Sequence, residues 1–169
     1  MDSFELISPE DINLNIDIEE NGNTFEDNAI LKAEAYPLAF NGLAISSDGG
    51  VTIPVLGDDW NELFTHRFAG NDASDVDRVD SMLKIMESFE DEDRSVLWNE
   101  SVAVAYKGKA LFSFFQNGEK GYLQKEYNKD LMFPGFWLAS LWFCPSFGKT
   151  YSEITEEERC SQDFTWSKN

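Results

Sequence analysis

Residues 19–33 read EENGNTFEDNAILKA, and this stretch decides how the first half of the chain folds. Thr24, followed three residues later by Asp27, resembles a capping box, the pairing that closes the N-terminus of a helix. Apolar residues then recur at helical spacing up to Pro37, namely Ala29, Ile30, Ala33 and Tyr36. The stretch therefore predicts a helix that begins near residue 25 and carries Asp27 in its first turn.

The segments on the C-terminal side of this helix alternate between strand and helix patterns. Ser74 and Asp77 open a second amphipathic helix, and Lys107-Gly108 is typical of a tight hairpin turn. Strand-like composition occurs at 43–47, 51–56, 96–106, 110–115 and 121–127. This alternation predicts an α/β fold with a mixed sheet and flanking helices, in a single domain over residues 1–169.

The charge balance excludes several kinds of partner. The 169 residues include 13 Lys+Arg and 32 Asp+Glu, a net charge of −19, with no basic stripe to offset it. Such a surface repels nucleic acid and anionic membranes, and we expect neither as a partner. No apolar run reaches the ~18 residues of a membrane span, and no signal peptide is apparent. The two cysteines, Cys144 and Cys160, cannot form a disulfide framework, which favours a reducing, cytoplasmic location.

Few kinds of catalytic chemistry fit the residues present. There is one histidine, and no nucleophile elbow or Walker loop occurs, so metal sites built on nitrogen or sulfur are disfavoured. Carboxylate oxygens remain, and Mg²⁺ prefers them together with substrate phosphates. Asp27 in a first helical turn and Asp48 before two glycines are candidate metal ligands. The alternative is that Asp27 only caps its helix and Asp48 only makes a turn.

Four ordered segments of the chain resemble the inosine/xanthosine triphosphate pyrophosphatases. Residues 19–33 match the family string EETGxTFEENAxLKA, and residues 45–51 (ISSDGGV) lie where the family has LADDSGL. Residues 64–70 (FTHRFAG) correspond to YSARYAG, and residues 148–158 correspond to GKTxxELxxEEK. The resemblance implies a two-lobed α/β fold around a mixed, twisted sheet. It also implies Mg²⁺-dependent cleavage of ITP, dITP or XTP to the monophosphate and pyrophosphate.

The resemblance also implies roles for particular residues. Asp27 falls on the metal-binding glutamate of the family, and Asp48 falls on the second aspartate of DDSG, which is both a metal ligand and the catalytic base. Nucleotide contacts are implied for Lys32, Gly49, Phe136, Lys149 and Arg159. The only cofactor implied is Mg²⁺.

The chain also departs from the family pattern. It begins beyond the first strand and phosphate-binding loop, so we expect the fold to lack that strand. DDSG has become Ser47-Asp48-Gly49-Gly50, GFGYDPIF has become the sequence at 135–142, and the terminal SHRG has become the sequence at 163–166. A triphosphate needs several fixed donors, and losing one typically costs on the order of a hundredfold in rate. These losses predict a catalytically inactive pseudoenzyme.

A missing first strand predicts an exposed sheet edge, which another protein chain would cover. Three tryptophans are candidates for that partner interface, Trp137, Trp142 and Trp166, although filling of the core is the alternative for them. These features predict that the chain acts with a protein partner.

Three functions follow. The first is an inactive sensor subunit that responds to dITP or ITP, because the degenerate form resembles the pyrophosphatase-like component of the Kongming antiphage system, which acts with a sirtuin-like NADase effector. The second is an active Mg²⁺-dependent pyrophosphatase for the same nucleotides. The third is a purely structural partner subunit.

Overall fold

The computed structural model describes residues 5–39 and 42–161. Within them, the α-helices are α1 (Phe25–Ala39), α2 (Asp75–Ile85) and α3 (Glu156–Ser161). The strands are β1 (Leu43–Thr52), β2 (Ser95–Tyr106), β3 (Lys109–Leu123), β4 (Trp142–Cys144) and β5 (Lys149–Thr150). Short 3₁₀ turns lie in the segments outside these helices and strands. No helix in these ranges is long and apolar enough to cross a membrane.

The strands form one five-stranded antiparallel sheet in the order β1-β2-β3-β4-β5. Tyr122 lies opposite Phe143 where β3 pairs with β4, and Phe143 lies opposite Thr150 where β4 pairs with β5. The tight turn between β2 and β3 is present, with left-handed φ angles of 51° at Lys107 and 74° at Gly108. A turn this short can only join antiparallel strands. The α/β fold is confirmed, with antiparallel pairing where the sequence suggested a mixed sheet.

Two predicted breaks in strands are absent. β1 continues through Asp48-Gly49-Gly50. β3 continues through Asn117-Gly118, a dipeptide typical of turns that lies between the separate strand patterns at 110–115 and 121–127. There is no room for a side chain at Gly49, because a Cβ atom there would lie 2.7 Å from the carbonyl oxygen of Asn99. Glycine at this position therefore lets two strands approach each other closely, whereas the sequence pattern suggested a turn.

The described chain divides into two compact units. The first unit comprises Met1–Asp48 and Ser101–Phe115, and the second comprises Gly49–Glu100 and Gln116–Asn169. In the first unit, α1 packs against β2 through alanines that are completely buried, namely Ala29, Ala33, Ala103 and Ala105. The side chains of Leu43, Ile45, Phe112 and Phe114 in the same unit are about half exposed.

The second unit contains the larger hydrophobic core. Its completely or almost completely buried side chains come from α2, strands β1 to β4, the 3₁₀ turns and their flanking residues, and include Ile53, Met82, Met86, Leu123, Leu138, Leu141 and Ile154. α2 begins with a full capping box, in which Ser74 and Asp77 each bond the other's backbone amide. This is the second helix that the sequence predicted at that pair.

Arg94 is the most extensively hydrogen-bonded cation of the second unit. Its buried guanidinium donates to the carbonyl oxygens of Met86 at 2.6 Å, Leu123 at 2.6 Å and Gln124 at 2.8 Å. These bonds join the C-terminal end of α2 to the end of β3. Burial lowers the pKa of the Arg94 guanidinium from its ordinary value, while Glu90 opposes that shift.

We expect Arg94→Met to lower the free energy of unfolding by about 3 kcal/mol, because it leaves several buried carbonyls without donors. Urea denaturation followed by tryptophan fluorescence measures the change. Lys125→Met is the matched control, since its ion pair with Glu90 is exposed and contributes at most about 1 kcal/mol. Equal stability of the two variants would contradict the assigned role of Arg94.

Candidate functional site

Asp48 on β1 is the best-anchored candidate residue. Its Oδ1 atom lies 2.7 Å from Lys32 Nζ, and its Oδ2 atom accepts a hydrogen bond from Asn28 Nδ2 at 3.1 Å. The Asp48 side chain is 14% exposed and that of Lys32 is 19% exposed. A carboxylate held at both oxygens in a nearly closed environment has little rotational freedom, so it presents its remaining lone pairs in a fixed direction.

The geometry of α1 explains this arrangement. Asn28 and Lys32 are four residues apart, so they lie on the same helical face one turn from each other. Asn28 is buried, and its Oδ1 atom accepts a bond from the backbone N–H of Gly22 at 2.8 Å. One asparagine thus connects the loop before α1 to Asp48. The sequence analysis missed Asn28, although its four-residue spacing from Lys32 was the available signal.

Glu20 completes this cluster. Lys32 Nζ lies 3.1 Å from Glu20 Oε1, in addition to its contact with Asp48. One ammonium group therefore lies between two carboxylates, and the three charges leave one negative charge in excess. The sequence analysis did not assign Glu20, because nothing in the helix pattern of residues 25–36 indicates how the preceding loop folds back.

Asp27 has a different environment. Its side chain is exposed, its Oδ2 atom accepts a bond from the backbone N–H of Asn23 at 3.2 Å, and its own N–H donates to Thr24 Oγ1 at 3.0 Å. These are helix-capping contacts, which the sequence analysis gave as the alternative for Asp27. They leave the second carboxylate oxygen of Asp27 with no hydrogen bond to those backbone groups.

The donor set fits a hard divalent cation. Asp48 and Glu20 supply carboxylate oxygens, the ligands that Mg²⁺ prefers, and a positive group already lies between them. No group of three or more His, Cys, Asp or Glu side chains that could hold a metal occurs in the described ranges. A Mg²⁺ site that is completed by water and substrate phosphates needs only one or two protein carboxylates.

Three other predicted nucleotide contacts lie together in the second unit. The Arg159 guanidinium lies 5.0 Å from the centre of the Tyr151 ring, and the Phe136 ring lies 5.2 Å from the same ring. Lys149 Nζ contacts both carboxylate oxygens of Glu158 at 2.7 Å. The second unit therefore combines cations with partly exposed aromatic faces, the groups that bind phosphates and stack on bases.

Asn99 is the centre of a polar network that the sequence analysis also missed. Its Nδ2 atom donates to Thr52 Oγ1 at 2.6 Å and to Glu62 Oε2 at 3.1 Å. Its Oδ1 atom accepts from Asn117 Nδ2 at 2.6 Å. Because Asn99 is buried and satisfied on both sides, the network fixes β1, β2 and β3 of the second unit in register.

The tryptophans predicted at a partner interface require a correction. Trp137 is 2% exposed and Trp142 is 4% exposed, and both belong to the hydrophobic core of the second unit. Gly121 allows Trp142 to pack, since a Cβ atom there would lie 2.2 Å from the indole nitrogen. Both side chains therefore fill the core, as the alternative stated. Trp166 lies outside the described residues.

Nucleophilic or metal-binding chemistry at Cys144 is also disfavoured by the structure. Cys144 is buried, and burial raises the pKa of its thiol to about 12. The thiol therefore stays protonated at neutral pH, and it is a poor nucleophile and a poor metal ligand.

Comparisons with known proteins identify a family. The model of the Ham1 family matches residues 2–163. The chain is 29% identical over 156 residues to a dITP/XTP pyrophosphatase of Bacillus subtilis, covering 92% of this chain and 76% of the relative. It is 31% identical over 143 residues to a dITP/XTP pyrophosphatase of Halalkalibacterium halodurans, covering 85% of this chain and 71% of the relative.

A solved structure supports the same similarity. The structure of a HAM1 protein from Coxiella burnetii superimposes with a TM-score of 0.71 at 28% identity, covering 86% of this chain and 73% of that one. The expectation of a pseudoenzyme is thereby corrected, because the relatives that match most of the chain are named as pyrophosphatases. Motif differences alone did not justify that expectation.

The ion pair of the second unit gives a pH-dependent prediction. The hydrogen bond from Lys149 and a backbone bond from Thr155 lower the pKa of Glu158 from 4.5 to about 2. A lowered pKa stabilises the folded state above pH 4.5, and this contribution is lost as the pH falls toward 2. We expect Lys149→Gln to raise the pKa of Glu158, as measured by carbon NMR of its carboxyl group. Lys84→Gln, on the exposed side of α2, should leave it unchanged.

Proposed function

Because the chain belongs to the Ham1 family, we propose that it is a Mg²⁺-dependent pyrophosphatase for deaminated purine nucleoside triphosphates, namely dITP, ITP or XTP. The observation that carries this proposal is the Asp48 carboxylate, held between Lys32 and Asn28. The names of the relatives, all dITP/XTP pyrophosphatases, support the choice of substrate.

The proposed reaction is hydrolysis between the α- and β-phosphates. A water oxygen forms a bond to the α-phosphorus, and the bond from that phosphorus to the bridging oxygen breaks. The products are the nucleoside monophosphate and pyrophosphate, and the water proton passes to an Asp48 oxygen. An aspartate can accept this proton only if it is correctly oriented, and geometry is the first requirement for a general base.

Asn28 and Lys32 have distinct roles in this scheme. Asn28 donates to Oδ2 of Asp48 and fixes the plane of the carboxylate, because its other end is bonded to Gly22. Lys32 lies against Asp48 and supplies positive charge at the site. Mg²⁺, when bound by carboxylates such as Asp48 and Asp27, would neutralise phosphate charge and lower the pKa of a bound water.

Candidates for nucleotide contacts also occur within the second unit. Phe136 and Arg159 are the candidates for stacking against the base, since both lie against Tyr151 and are only partly buried. Lys149 is the candidate for a phosphate contact, with Glu158 as its partner in the absence of nucleotide. These contacts matter because the net charge of −19 otherwise repels a triphosphate.

We expect Asp48→Asn to lower kcat for dITP by at least about a hundredfold, because an amide cannot accept the water proton. Pyrophosphate release in the presence of Mg²⁺ measures this. Asp93→Asn is the matched control, since Asp93 is exposed in a turn of the second unit and should leave kcat unchanged.

The same assay separates this function from the other two. Tight dITP binding by the purified chain with no pyrophosphate release, alone or with a co-purified protein, would contradict the proposal and favour the sensor. Neither binding nor release would favour the structural subunit. Coupling to a sirtuin-like NADase remains a prediction that no observation tests.

A further inference from the structure

Lys32 lies within ion-pair distance of both Asp48 and Glu20. Its Nζ atom lies 2.7 Å from Asp48 and 3.1 Å from Glu20. Lys32 and Asp48 are largely buried, and Glu20 is 31% exposed. The ammonium thus lies at the position, relative to two carboxylates, that a hard divalent cation would take.

Two cations cannot share these oxygens at low cost. Like charges at contact distance repel each other at the effective dielectric constant of a protein surface. The lysine side chain can move away because its four-carbon stem is flexible. Asp48, in contrast, stays in position because Asn28 still holds its second oxygen, and Asn28 is itself bonded to Gly22.

We infer that Lys32 is an exchangeable counter-ion. It neutralises Asp48 and Glu20 while no divalent cation is bound, and it leaves these two carboxylates when such a cation binds between them. This inference rests on the proposed function, and it adds Glu20 to the site as the second carboxylate that the ammonium and the divalent cation exchange. The released ammonium is then available to the substrate phosphates.

The exchange couples cation binding to phosphate binding. A positive group that moves from carboxylates to phosphates makes each ligand favour the other, and such coupling is reciprocal. If the ion pair were only structural and divalent cations did not bind at these carboxylates, removal of Lys32 would affect stability and leave affinity for a divalent cation unchanged or weakened. The two alternatives therefore predict opposite signs for the same measurement.

The test is Mn²⁺ binding to the full chain without nucleotide, measured from the electron paramagnetic resonance signal of free Mn²⁺. We expect Lys32→Met to tighten Mn²⁺ binding about tenfold, within the usual range of coupling between sites. Glu20→Gln should weaken it severalfold, and Lys32→Arg should resemble the wild type. Lys120→Met is the matched control, because its ion pair with Glu92 is exposed, and it should change nothing.

A second measurement needs no variant. Titration of the wild-type protein with Mg²⁺ should shift the carbon NMR signal of Lys32 Cε, with saturation at the same Mg²⁺ concentration that shifts the Asp48 carboxyl signal. This titration tests the inference even if Lys32→Met does not fold.

Unchanged or weaker Mn²⁺ binding by Lys32→Met would overturn the inference. So would an absence of Mn²⁺ binding in the wild type, or a Lys32 Cε signal that does not shift when Mg²⁺ is added. Failure of the proposed function is separate, because it appears as absent dITP turnover. If Lys32→Met binds Mn²⁺ more tightly but the wild type does not hydrolyse dITP, the counter-ion inference stands and the proposed pyrophosphatase function is wrong. If the wild type hydrolyses dITP but Lys32→Met binds Mn²⁺ with unchanged affinity, the function stands and the inference is wrong.

Discussion

Close packing of α1 on β2 is the constraint on which the first unit depends. Four buried alanines form this contact, and methyl groups are all that separate the helix backbone from the strand. The short separation lets one face of α1 reach Asp48 with side chains as short as asparagine. A larger residue at Ala29 or Ala33 would push the helix outward, because overpacking a filled interface forces backbone shifts. The site is therefore a consequence of the small residues beneath it.

The sequence predicted the elements whose signals are local. Three local features were predicted and are present: the helix that begins near residue 25, the capping box at Ser74 and the turn at Lys107-Gly108. Each follows from contacts between residues a few positions apart. The dipeptides Gly49-Gly50 and Asn117-Gly118 misled the prediction, because the same residues serve turns and close strand packing. Only the neighbouring strand decides between them, and it is distant in sequence. The α/β class was therefore predictable and the continuity of β1 and β3 was not.

The candidate site shows the same difference between local signals and contacts that only the fold creates. Asp27 and Asp48 were found from their positions in the helix and glycine patterns, and the resemblance added Lys32. Asn28 and Glu20, in contrast, acquire their importance through the fold of the loop before α1. The tryptophans were misassigned in part because a large aromatic near a missing motif suits a core as well as an interface. Gly121 opens the space that Trp142 fills, and nothing within the local pattern of either residue indicates that pairing.

The charge of the chain has a different meaning once the contacts are known. A net charge of −19 first excluded nucleic acid and anionic membranes as partners, and the loss of family motifs predicted an inactive chain. Yet some of the remaining cations contact candidate site residues. In the first unit Lys32 contacts Asp48, and in the second unit Lys149 contacts Glu158 while Arg159 lies against the Tyr151 ring. A lysine ammonium paired with a carboxylate can turn toward a phosphate because its stem is flexible. The exchange inferred for Lys32 would give a strongly acidic chain a local positive group for an anion. The local arrangement of charge, and not its sum, decides what the site can hold.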